Sequence, residues 1–117
     1  MTIRDQILAT DDIKYDTVDV EEWGMSVRVK SLSASDTERL ERYQEKNKGR
    51  PEQDYLGYLA SLVIVDDDGQ RVFTKPGDAK ILGDKSMTSL TTVLTAASAL
   101  NGELKVMGLD EASAAKN

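Results

Sequence analysis

Residues 15–32 read YDTVDVEEWGMSVRVKSL, two alternating runs that meet at a Trp-Gly pair. In the first run Tyr15, Thr17 and Asp19 alternate with Asp16, Val18 and Val20. In the second, Met25, Val27 and Val29 alternate with Ser26, Arg28 and Lys30. A period of two is the spacing of a strand with one face in the core and the other in water. The intervening "EEWG" predicts an antiparallel pair across residues 15–30, with Trp23 at the corner. The sole tryptophan has two readings there. It plugs the edge of the core with its indole N–H on a carbonyl, or it anchors a partner.

Outside this pair the period lengthens to that of helices. Thr2 caps a short first helix with Ile3, Ile7 and Leu8 on one face. "SASDTERLERYQEKNKGRP", residues 33–51, opens on a capping box between Ser35 and Glu38 and turns Leu40 and Tyr43 inward. It stops at Gly49-Arg50-Pro51, and Pro51 suits the first turn of a following helix. That helix carries Tyr55, Leu59 and Leu62 inward, with Leu56 and Tyr58 alongside. The β-branched Val63-Ile64-Val65 changes the chain to strand, and Asp68-Gly69 predicts a type I′ hairpin within VDDDGQRVFT. A short helix from Asp78 to Gly83 follows, and Asp84 or Ser86 caps a last helix to Asn101, ended by Gly102. On that helix Met87, Leu90, Leu94 and Ala97 face inward, and Thr88, Thr91, Thr92, Thr95 and Ser98 form an uncharged polar remainder. The expected fold is α+β, a predominantly helical single domain over residues 1–102. It has a small antiparallel strand pair near 15–30 and a β-hairpin near 63–74. Residues 103–117 are expected to form a flexible tail.

Composition narrows the function. Fifteen basic residues against 21 acidic ones give a net charge of −6. That sign repels phosphate backbones and anionic lipid, so neither nucleic acid nor membrane is an expected partner. The chain has no cysteine and no histidine, which removes thiol nucleophiles, the commonest zinc ligand and the usual triads. The longest apolar run, Leu62-Val63-Ile64-Val65, is far too short to span a bilayer, and "MTIRDQILATDD" is charged where a secretory leader is apolar. A cytoplasmic protein is expected.

Three motifs imitate chemistry. "PGDAKILGDKS", residues 76–86, resembles a phosphate loop, but five residues separate Gly77 from Gly83 and Asp84 stands where the lysine belongs. Asp66-Asp67-Asp68-Gly69 lacks an EF-hand's other ligands, since Ile64 and Lys75 occupy their positions. Glu21-Glu22 flanks a turn, without the apolar pocket that separates the pKa values of a catalytic pair. No enzyme, cofactor or metal site is expected. Partner contacts are the better expectation. Tyr55 and Tyr58 are three residues apart and cannot both face fully inward, and residues 86–101 carry no charge. The candidate partner-binding residues are Trp23, Tyr55, Tyr58, Thr88, Thr92 and Thr95.

Four stretches, "TIRDQILATDD", "VDVEEWGMSVRVKSLS", "LVIVDDDGQRVF" and "LGDKSMTSLTTVLTAASALNG", together resemble the tail assembly chaperones of long-tailed bacteriophages. The likeness preserves order and spacing over most of residues 2–109. It departs at Glu22, where the family often places proline before the Trp-Gly. The resemblance implies a small non-enzymatic protein that binds the tape measure protein and keeps it soluble. It also implies recruitment of tail tube subunits, with self-association, in the host cytoplasm and outside the mature virion. Family genes commonly give a longer frameshifted product, and this chain corresponds to the short one. The alternative is a structural component retained in the virion, such as a connector or tail-completion protein.

Overall fold

The computed structural model describes residues 2–49 and 52–101. Arg50, Pro51, Gly102 and the expected tail at 103–117 lie outside them. The strand pair forms as expected. β1 (Tyr15–Val20) runs antiparallel to β2 (Met25–Lys30), with Val18 opposite Val27 and Val20 opposite Met25. A single 3-10 turn, Glu21–Trp23, joins them and closes at Gly24, whose φ of 64° glycine adopts without strain. Val20 and Val29 are buried on the shared inner face.

The outer face is wet except at the end of β2. Lys30, expected in water, is 8% exposed. Its ammonium pairs with Asp36 and donates to the Ser31 carbonyl at 3.2 Å. Asp36 belongs to α2 (Ala34–Lys46), and it moves the capping box. Ser33 is the N-cap: its hydroxyl accepts from the Asp36 N–H, and the Asp36 carboxylate accepts from the Ser33 N–H. The expected pair of Ser35 and Glu38 lies two residues inside the helix. Asp36 replaces glutamate because its carboxylate also serves Lys30.

α3 (Glu52–Val63) buries Leu59, Leu62 and Val63, so Val63 ends the helix instead of opening a strand. β3 is then only Ile64–Val65, and it adds to the sheet beside β2, giving the order β1-β2-β3. The hairpin near 63–74 is present as a turn and a single bridge, Val65 to Arg71. Its turn is not type I′. The Gly69 N–H donates to the Asp66 carbonyl at 3.0 Å, and Gly69 has φ 82°. This is the three-residue form, a turn followed by a left-handed glycine. The Asp66 carboxylate also accepts from the N–H groups of Asp68 and Gln70. Arg71 then pins the returning chain, donating to the carbonyls of Ser61 and Phe73.

α4 (Asp78–Gly83) packs on α3 through backbone. A Cβ at Gly57 would stand 1.9 Å from the Ala79 carbonyl oxygen and 2.6 Å from the Gly83 nitrogen. α5 (Met87–Ala99) is capped by Ser86, whose hydroxyl accepts from the Ser89 N–H. It lays Leu90, Val93, Leu94 and Ala97 against the sheet and α3. Asn101 closes the described chain. Its side chain accepts from the Leu32 N–H and donates to the Ala97 carbonyl.

Candidate functional site

The uncharged stretch at 86–101 places its threonines at i, i+3, i+4 and i+7, one side of a helix. α5 packs on β1, so that row faces out beside the edge strand. The result is an open groove of about 590 Å³, lined by Thr88, Thr91, Thr92 and Thr95 with Val18, Met87 and Ala96. No charged side chain lines it. Met87 corrects an expectation, because it is 65% exposed instead of facing the core. It stands in the first turn of α5 and borders the groove. Ser98, expected on the polar remainder, is buried. Periodicity assigned both positions by angle alone, and the angle does not say which neighbouring element covers each one.

The candidate residues do not converge on one place. Thr88, Thr92 and Thr95 share the groove. Trp23 sits in the 3-10 turn, half-buried against the core, and that turn contacts α5. Beside it the Glu22 carboxylate accepts from the Ser86 hydroxyl at 2.6 Å, joining the turn to the N-cap of α5. Tyr55 and Tyr58 lie on α3, away from the groove lining. Tyr55 packs against the core, and burial pushes its phenol up to about 12. Tyr58 stacks on Tyr43 with ring centroids 4.1 Å apart and planes within 4°. That pair floors a second cleft of about 550 Å³, bordered by Arg39, Arg42, Glu45 and Lys46. Sequence reasoning did not single out Tyr43 or Met87 for a surface. Nor did it register that α1 (Ile3–Ala9) contributes nothing to the core: Ile3, Ile7 and Leu8 are 74%, 64% and 65% exposed.

The acidic loop is held by its own backbone hydrogen bonds, and the segment resembling a phosphate loop is α4 and its link to α5. No family model matches the sequence. No curated protein matches it either. Among solved structures, that of the bacteriophage HK97 tail assembly chaperone superposes with a TM-score of 0.62 at 20% identity. The match spans 87% of this chain and 96% of the other. The fold is that of a phage tail assembly chaperone. The resemblance carried by the four sequence stretches is therefore matched in three dimensions. At this identity the likeness is one of fold.

Proposed function

We propose that the chain is a short-form tail assembly chaperone that binds the tape measure protein, keeps it soluble and recruits tail tube subunits. It acts in the host cytoplasm and leaves before the virion is complete. One observation carries this reading: the backbone follows the HK97 tail assembly chaperone over 96% of that protein's length. The surfaces support it. An uncharged groove and an outward apolar helix are what a transient partner with apolar helical stripes would use, and the net charge of −6 keeps such a body soluble. Partner contacts are assigned to Thr88, Thr92 and Thr95, with Trp23, Tyr55 and Tyr58 as secondary candidates.

Co-expression with the tape measure protein from the neighbouring gene tests the proposal. The tape measure protein should move from pellet to supernatant and co-purify. Unchanged insolubility would overturn the reading.

A further inference from the structure

The groove between α5 and β1 differs from its border in charge. Its lining is uncharged, and α5 with its flanks carries no charge from Ser86 to Asn101. Residues 11–22 hold six acids (Asp11, Asp12, Asp16, Asp19, Glu21 and Glu22) against one base, Lys14. That segment alone carries −5 of the chain's −6. It includes β1, the edge strand on which α5 packs. Asp19 lies on the strand's other face, bonded to Ser26, so the acids placed at the groove are Asp16 and Glu22. Asp16 is exposed and lies two residues from Val18, on the same face of the strand. Glu22 is exposed and bonds Ser86, one residue before Met87.

We propose that this groove receives an amphipathic partner helix whose apolar stripe is flanked by lysine or arginine. The proposal rests on the chaperone reading for the partner's identity, a tape measure segment, and it narrows which segment that is. The short threonines let a partner backbone approach closely, and their stiff χ1 leaves little side-chain entropy to lose. The acids supply steering and register. A phosphate backbone would meet repulsion. A second copy of the chain, docking the same face in a two-fold contact, would set the acidic border against itself.

The test uses two labelled peptides with one apolar Leu/Ala stripe, flanked in one by lysine and in the other by glutamate. Fluorescence anisotropy should show the lysine peptide binding about tenfold tighter or better, with the difference shrinking as salt shortens the screening length from about 30 Å to about 3 Å. Combining Asp16→Lys with Glu22→Gln, which keeps an acceptor for the Ser86 hydroxyl, should weaken the lysine peptide about tenfold. Glu45→Lys on α2, away from the groove, should change it less than about twofold. Thr92→Glu should reduce binding of both peptides, with circular dichroism showing the fold intact. Equal binding of the two peptides, binding of neither, or an equal effect of Glu45→Lys overturns the proposal. So does a Thr92→Glu variant that dissociates an oligomer while leaving peptide affinity unchanged, which would make the occupant a second copy. If the tape measure protein is solubilised but the peptides show no charge preference, the groove assignment falls and the assembly role stands. If the lysine peptide binds selectively and the tape measure protein stays insoluble, the role falls and the groove chemistry stands.

Discussion

Asp36 is 3% exposed and serves three partners: the Lys30 ammonium, the Arg39 guanidinium and the Ser33 N–H. Burial alone would raise its pKa. The Lys30 and Ser33 hydrogen bonds and the Lys30 charge outweigh that and hold it below the ordinary carboxylate value of 3.8. A depressed folded pKa gives stability that is complete above the unfolded value and lost as pH falls through the folded one. Asp36→Asn should therefore cost about 3–5 kcal/mol near neutral pH by stranding buried Lys30. In denaturant melts the gap from the parent should narrow only below about pH 4. A gap that stays constant into that range would show that the charge contributes nothing. Gly57 makes a different demand. Glycine inside a helix costs about 1 kcal/mol relative to alanine, yet no Cβ fits between α3 and the backbone of α4. Gly57→Ala should lower stability by about 1–3 kcal/mol or more, read as a fall in Tm, in spite of the better helix propensity.

Among the elements, α1 and the connection after β3 mark opposite extremes. α1 is capped by Thr2 and amphipathic, yet buries nothing. Replacing Ile3, Ile7 and Leu8 together by serine should leave the unfolding free energy within about 0.5 kcal/mol, as for other exposed positions. A larger loss in chemical denaturation would place that face against the body. Residues 71–77 contain no regular element, but Arg71 ties them to the end of α3 through the Ser61 carbonyl and braces the segment itself through the Phe73 carbonyl. Arg71→Ala should destabilise by about 1–3 kcal/mol, because it leaves partly buried carbonyls without their donor. These two cases show what local pattern conveys. Alternation located β1 and β2, and caps and breakers marked the helices approximately, with the α2 cap and the end of α3 misplaced by a residue or two, because both signals are properties of consecutive residues. Whether a face meets another element is not such a property. The sequence therefore grouped Ile3, Ile7 and Leu8 correctly without revealing that nothing covers them, and it set Lys30 in water without sight of Asp36. The groove was half legible: its threonines stood out as an uncharged run, whereas Val18 and Met87 joined them only through the packing of α5 on β1.

For the whole molecule, the proposed role predicts an inventory. Mass spectrometry of purified virions should detect tape measure and tube proteins but not this chain. Stoichiometric recovery would instead identify a structural component. Trp23, Tyr55 and Tyr58 all pack against the core, so alanine at each should lower Tm as well as any partner affinity. The threonines make the cleaner probes of contact.

The side chain of the last described residue, Asn101, is tied down at two points, to Leu32 and to Ala97. Any polypeptide continuing past Asn101 thus departs from a fixed spot near the start of α2. With 13 residues in α5, that spot is about 20 Å along the helix from Met87. The groove lining stops at Ala96, short of that spot, so a reporter attached beyond Asn101 should leave the uncharged face accessible.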